Sequence, residues 1–341
     1  MLVPGNHGLS YSATVSRQLV HRAAICEVFL TDTRRRSDND FLVAAQLPRV
    51  HSYYSDHTLT PAAYDPLLLL EVFRQTSILV AHEHLGAPLD HKFSFNTGEF
   101  SILSTEALHI GPLPGRVVLA VRVTDRKCRG DQLAGVTLRM DLAIDDRDAA
   151  SMTMTIQWMP GSAWAKLRER GRAALDLTTP RAHPTGRRLL PAAVGRRSPA
   201  NVVLGDAVAL GREVVAQVVV DQAHPALFDH PLDHIPGVLF FEAYRQTALH
   251  AAHELLDLSP GRLSLTRCDA VFTRFGEFEL PTVCRAELVE GGPDQVPGAA
   301  VFRLQMRQED TLISTAEVTL QCTSRLGRRF VRTPSPALQA G

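Results

Sequence analysis

The sequence reads as an α+β protein made of one unit written twice, each unit a long buried helix wrapped by a strongly curved antiparallel sheet. An internal repeat is the first sign. Glu71-Val72-Phe73-Arg74-Gln75-Thr76 matches Glu242-Ala243-Tyr244-Arg245-Gln246-Thr247, and the match runs on to Ala81-His82-Glu83 and Ala252-His253-Glu254. The flanking landmarks recur in the same order. His21-Arg22 before Val28-Phe29-Leu30 answers Arg196-Arg197 before Val203-Leu204, Asp56-His57 answers Asp229-His230, and Gly98-Glu99-Phe100 answers Gly276-Glu277-Phe278. The third sign is strict alternation at the end of each block: Val136, Leu138, Met140, Leu142 and Ile144, then Met152, Met154, Ile156 and Trp158. In the second copy it is Phe302, Leu304 and Met306, then Ala316, Val318, Leu320 and Cys322. Period-two alternation across the polar turns Asp145–Asp148 and Gln308–Asp310 predicts antiparallel hairpins with one buried face.

One helix per block is predicted between these strands. Asp65-Pro66 and Pro236-Gly237 mark the starts, since Pro66 suits a first helical position and Asp65 can cap it. The helices then run through Leu67–His84 and Val238–Leu256. Both are apolar nearly all round, which predicts burial on every side.

The units are expected at 20–158 and 200–322. Between them, residues 159–199 are rich in arginine, proline and glycine and read as a basic linker with a short helix at Ala163–Leu175; residues 323–341 read as a loose tail. The 341 residues are 45% hydrophobic and 21% charged, a globular composition that excludes a mainly disordered chain. Thirty-six basic residues balance 36 acidic ones, which speaks against a generally basic nucleic-acid binder. No apolar run approaches the roughly 20 residues of a membrane helix, and no secretion signal opens the chain, so a cytoplasmic protein is expected. The five cysteines are scattered and never in CxxC spacing, so free thiols are expected rather than disulfides or zinc.

Phe228-Asp229-His230-Pro231, Pro236-Gly237-Val238-Leu239, Glu242-Ala243 and Gln246 resemble the active-site run of β-hydroxyacyl-carrier-protein dehydratases. With its two halves, its Asp-Pro-Leu-Leu-Leu-Leu-Glu run and its Asp-His-Pro-Leu-Asp-His-Ile-Pro-Gly run, the chain is similar over about residues 20–322 to the AfsA-type family of A-factor and γ-butyrolactone biosynthesis. The resemblance implies a tandem (double) hotdog fold. It also implies acyl transfer: a β-ketoacyl group moves from an acyl-carrier-protein thioester to the hydroxyl of dihydroxyacetone phosphate, on the way to a butenolide, γ-butyrolactone or furan signal. His57 lies fourteen residues before Glu71, the dehydratase spacing, but His230 lies twelve before Glu242, and Pro-Gly opens only the second helix. Both departures set the chain apart from the dehydratases.

The residues define the chemistry to look for. Glu71 and Glu242 sit on apolar helices, where desolvation raises a carboxyl pKa toward that of a general base or acid; alternatively each is neutralised by the arginine one turn on. Arg74 and Arg245, with Gln75 and Gln246 beside them, can fork onto a phosphate or orient the carboxylate. The backbone amides of Gly237 and Val238 can stabilise an oxyanion at a helix start. His57 and His230 occupy the dehydratase histidine position, and the family analogy pairs His57 with Glu242 and His230 with Glu71, in two pseudo-symmetric sites. His82, Glu83 and His84 lack metal-ligand spacing, and no nucleotide-binding glycine motif or GxSxG elbow is present, so neither a metal nor an organic cofactor is expected. The competing readings are a hotdog dehydratase or thioesterase, and a non-catalytic protein that binds an acyl or lactone ligand. The covalent repeat supplies the pairing that single hotdogs reach by dimerising, so a monomer or a homodimer is expected.

Overall fold

A computed structural model of the chain describes residues 8–175, 177, 186–289 and 298–323. Twelve strands are found among them: β1 Leu30–Arg35, β2 Asp40–Leu47, β3 Lys92–Ile102, β4 Gly115–Arg129, β5 Gln132–Ile144, β6 Arg147–Met159, β7 Leu204–Leu210, β8 Glu213–Val218, β9 Leu263–Phe272, β10 Thr282–Leu288, β11 Ala299–Gln308 and β12 Thr311–Cys322. The long helices are α1 Pro66–Glu83 and α3 Gly237–Leu256; a third, α2 Gly161–Ala173, follows the first unit. All strands join one antiparallel sheet in the order β1-β2-β4-β5-β6-β3-β9-β12-β11-β10-β8-β7. The order reads the same from both ends once the repeat is allowed for, so each half is a six-stranded hotdog unit. The halves meet where β3 pairs with β9, Thr97 opposite Val271 through Ser101 opposite Arg267.

The helices form where their sequences dictate. The Asp65 carboxylate accepts the Leu67 amide at 2.8 Å, Pro66 takes the first turn, and α1 then runs buried through Leu67–Phe73 and Gln75–His82. α3 starts at Gly237 after Pro236, without a side-chain cap, and is buried from Leu239 to Ala252. Each therefore lies inside the curve of its sheet. Asp145 and Asp146 both have positive φ and make the tight turn between β5 and β6, two residues shorter than the alternation suggested.

The segment expected as a linker is partly structural. Its helix is α2, two residues earlier than expected, and it is tied to the second unit. Trp164 Nε1 donates to Asp233 at 2.8 Å, and Arg168 grips both oxygens of Glu277 at 2.7 and 2.8 Å. Arg196, near the far end of the segment, is wholly buried. A basic composition hides this because arginine in a solvated connector and arginine paired inside a core look the same in sequence. Residues 176 and 178–185 of that segment, and all of the expected tail beyond Thr323, lie outside the described residues. No helix among the described residues is long and apolar enough to cross a membrane.

Candidate active site at the junction of the two units

Each helix carries the same buried cluster. In the first, Glu71 accepts from Arg22 Nε at 3.0 Å and from Arg74 Nε and Nη2 at 2.8 and 2.9 Å. Gln75 donates to Glu71 and to the Glu27 carbonyl, both at 2.7 Å, and accepts the Phe29 amide at 3.0 Å. In the second, Glu242 accepts from Arg196 Nε at 2.9 Å, from Arg245 Nη2 at 2.6 Å and from Gln246. Gln246 also donates to the Asn201 carbonyl at 2.8 Å and accepts the Val203 amide at 2.9 Å. Glutamine thus pins each helix to the chain that enters its own sheet, and both of its amide hydrogens are used in doing so. The expectation that Gln75 and Gln246 contact substrate is corrected: both are fully buried with no donor left over.

For Glu71 the premise of a general acid or base fails in the same physical terms. Glu71 has no solvent exposure. Burial by itself would push its carboxyl up, but the Arg22 and Arg74 guanidiniums outweigh burial and hold it at about 2. Desolvation without an adequate counter-charge was the premise for a proton-shuttling glutamate, and two arginines remove that premise. Arg22 and Arg196 were visible only as landmarks opening each block. Their spacing to Phe29 and Val203, seven residues in both copies, was the signal that they are equivalent.

The units are laced together crosswise. Asp229 of the second accepts the amides of Ala23 and Ala24 of the first at 2.6 and 3.0 Å; Asp56 of the first accepts the Ser198 amide at 3.1 Å. Arg196 Nη1 donates to the Tyr53 carbonyl at 2.7 Å, with its guanidinium 4.4 Å from the centre of the Tyr53 ring. His230 is thereby set beside Arg22 and Arg74, and His57 forms a β-bridge with Arg196.

Beyond this the symmetry fails. Around His57, Pro66, Gly195 and Arg245 the space left is about 20 Å³, about enough for a single water. Around His230, Arg74, Gly237 and Val238 it is a cavity of about 1220 Å³. In the closed half, Arg245 Nη1 lies 2.8 Å from both oxygens of Asp65, and His57 Nε2 donates to the Ala63 carbonyl at 2.8 Å. His57 Nδ1 is buried without a hydrogen-bond partner among the described residues. Neither Arg245 nor His57 is available to a ligand.

In the open half the groups are available. Arg74 spends Nε and Nη2 on Glu71 and keeps Nη1 unpaired among the described residues; its side chain is 27% exposed. His230 lines the cavity with Nδ1 3.5 Å from the Asp229 carboxylate. Burial, with Arg22 and Arg74 nearby and Asp229 partly offsetting, holds the imidazole below its ordinary value, so it is neutral at pH 7. The amides of Gly237 and Val238 have no acceptor among the described residues. His21, in the left-handed conformation at φ 50°, also lines the cavity; it was noticed in the sequence only as a block opening. Burial and the Arg74 charge push it down to about 3, and its Nε2 lies 2.9 Å from His82 Nε2. His82 Nδ1 donates to the Ala87 carbonyl, so His21 is the donor of that pair. Phe95, Phe240, Phe241, Phe272, Met154 and Ile156 give the cavity an apolar wall. No cluster of metal-ligating side chains is found among the described residues.

These observations meet an independent comparison. The model of the A-factor biosynthesis hotdog domain matches residues 6–160 and again 177–324. A 2-oxo-3-(phosphooxy)propyl 3-oxoalkanoate synthase of Streptomyces virginiae is 33% identical over 89% of this chain and 96% of its own length. A synthase of the same name from Streptomyces coelicolor is 29% identical over 88% of this chain and 89% of its own. Solved structures similar in outline include a bifunctional dehydratase-cyclase domain in ambruticin biosynthesis (TM-score 0.48, 17% identity, 88% of this chain and 97% of that one). Another is the 12:0-ACP thioesterase from Umbellularia californica (TM-score 0.47, 8% identity, 83% and 94%). Two matched copies, each falling on one of the helix-in-sheet units described above, leave one assignment: the chain belongs to the A-factor biosynthesis hotdog family.

Proposed function

We propose that the protein is an acyltransferase that moves a β-ketoacyl group from an acyl-carrier-protein thioester to the hydroxyl of dihydroxyacetone phosphate, and that transfer takes place in the open cavity alone. The activity is that named for its Streptomyces relatives, whose product is an ester of a 3-oxo acid with a phosphorylated three-carbon alcohol. The observation that carries the placement is the contrast between the two pseudo-equivalent sites, one about 1220 Å³ and the other about 20 Å³.

The neutral His230, its Nδ1 3.5 Å from the Asp229 carboxylate, takes the proton of the acceptor hydroxyl. The alkoxide attacks the thioester carbonyl, the tetrahedral intermediate collapses, and the carrier-protein thiolate leaves with the proton returned by His230. Arg74 Nη1 and the amides of Gly237 and Val238 are the donors for negative charge, and the phenylalanine-lined wall takes the acyl chain. Glu71 is a positioning residue that holds Arg22 and Arg74; Glu242 and Arg245 do the same structural work in the closed half.

The test is a β-ketoacyl-carrier-protein thioester mixed with purified protein, with and without dihydroxyacetone phosphate, and followed by mass spectrometry. An acceptor-dependent phosphorylated ester, lost in His230→Ala and kept in His57→Ala, is expected. Free acid formed equally without acceptor would identify a thioesterase. No turnover at any chain length would identify an acyl-binding protein.

A further inference from the structure

The two halves align residue by residue in sequence around each helix start, and this makes the closed half a guide to what the open half binds. Asp65 corresponds to Pro236, Pro66 to Gly237 and Leu67 to Val238, each pair as far apart as Glu71 and Glu242. Even the backbone agrees: Asp65 has φ −63° and ψ 130°, Pro236 φ −71° and ψ 147°. In the closed half the Asp65 carboxylate bridges two donors. It accepts the Leu67 amide at 2.8 Å, and Arg245 Nη1 of the opposite unit lies 2.8 Å from both of its oxygens. Its burial is complete and alone would push the carboxyl up, but Arg245 and Arg196 hold it below the usual range, so this is a full negative charge seated between a helix start and a guanidinium.

The equivalent donors in the open half are the Val238 amide and Arg74 Nη1. Both line the cavity, and neither has an acceptor among the described residues. Pro236 cannot supply one, since it has no polar side chain. Arg74 in the meantime keeps its other two nitrogens on Glu71, as an arginine prepared for one more anion would.

We infer that the dianion of a phosphate monoester binds in the open cavity between Arg74 Nη1 and the Val238 amide, in the place that Asp65 fills in the closed half. The inference rests on the transferase reading for the identity of the ester, and it assigns both donors to the acceptor's phosphate rather than dividing them between phosphate and oxyanion. A permanent internal carboxylate is the mimic of a ground-state anion, and of the reacting species only the phosphate is one. Asp65 is by the same argument a built-in plug that keeps the second site from binding substrate.

Copying the plug tests this directly. Pro236→Asp places a carboxylate with suitable backbone geometry at the start of α3, where it can cap Val238 and pair with Arg74. The probe is inorganic phosphate, titrated calorimetrically into the full-length protein. Wild type binds phosphate at millimolar concentrations; Pro236→Asp and Arg74→Met weaken binding by at least about tenfold. Pro236→Ala keeps it within about threefold. Pro236→Asp should also melt higher than wild type, which separates plugging from misfolding. Wild type that fails to bind phosphate, or phosphate bound equally well by Pro236→Asp and Arg74→Met, overturns the inference. Phosphate binding with this pattern in a protein that transfers no acyl group supports the anion site and removes the transferase reading. Acyl transfer with phosphate binding indifferent to both substitutions does the reverse.

Discussion

Replacing Glu71 with glutamine keeps the shape of the side chain and removes its charge, so it separates an anchor from a base. Holding the carboxyl at about 2 rather than at the ordinary 4.5 corresponds to about 3 kcal/mol of folding free energy, at roughly 1.4 kcal/mol per pH unit. The same size follows from the partners. Arg22, 4% exposed, would be left without its counter-charge, whereas Arg74, 27% exposed, can turn outward. Breaking a buried pair from one side costs about 3–5 kcal/mol. With unfolding entropy near 2 cal/mol/K per residue, a chain of 341 residues should lose about 4 °C in Tm. The sign with pH is fixed by the direction of the shift. A carboxyl lowered in the folded state stabilises fully above about 4.5, and that contribution is lost as pH falls toward about 2. The gap in Tm between wild type and Glu71→Gln should therefore be constant from pH 8 to about 5 and narrow below it. In the transferase assay the variant should raise KM for the acceptor, through a loosened Arg74, and leave the shape of the pH–rate profile unchanged. A variant that melts with wild type at pH 7 while kcat drops a thousandfold would refute this and return Glu71 to the role of general base.

Four further outcomes are expected. His230→Gln should slow transfer by about 10²–10⁴-fold; in wild type the rate should be level at neutral pH and fall on acidification, since the imidazole sits below its ordinary 6.5 and must be neutral to accept a proton. Arg196→Met removes the shared partner of Glu242 and the Tyr53 carbonyl and should cost about 3–5 kcal/mol in urea melts, with no change in KM among molecules that remain folded. Asp65→Asn leaves Arg245 with half of its counter-charge; a loss of about 2–4 kcal/mol is expected, again with transfer rates unchanged below the melting range. Gly237→Ala should fold as wild type within about 0.5 kcal/mol, because the added Cβ meets nothing nearer than 3.8 Å; a fall in kcat/KM would then report a substrate passing over that backbone.

What was legible in the sequence was whatever repeats. Start signals and all-round apolarity placed both helices within a residue at each end, and alternation placed both terminal hairpins, since a buried strand face leaves a mark at every second position. The repeat singled out Glu71, Arg74, Gln75 and their counterparts, and these are the residues that cluster. What was not legible was the fourth member of each cluster. Arg22 and Arg196 reach the glutamate from outside the helix, and sequence spacing along a helix shows only partners three or four residues apart. The ionisation state of Glu71 followed from that gap, since Arg22, against burial and together with Arg74, holds its carboxyl down. Phe240 and Phe241 line the cavity, whereas Tyr244 donates to Ser314 at 2.7 Å and Phe73 lies in the core.

The difference between the halves comes down to a short insertion and one substitution at the helix start. The stretch from His57 to Glu71 is two residues longer than that from His230 to Glu242. The longer loop delivers the Ala63 carbonyl onto His57, and the aspartate that stands where the second half has Pro236 sets its carboxylate onto Arg245, so the closed half spends both groups that a substrate would need. It also compensates itself energetically. Arg245 and Arg196 lie side by side with Glu242 between them, and Asp65 supplies the second negative charge that two buried guanidiniums require. In the open half only Arg22 is deeply buried, Arg74 keeps access to water, and one carboxylate suffices. A plugged half is thus the electrostatically complete one and the open half is one anion short. That deficit is the form in which an enzyme can hold binding energy for a charged acceptor without paying a large desolvation penalty in its absence.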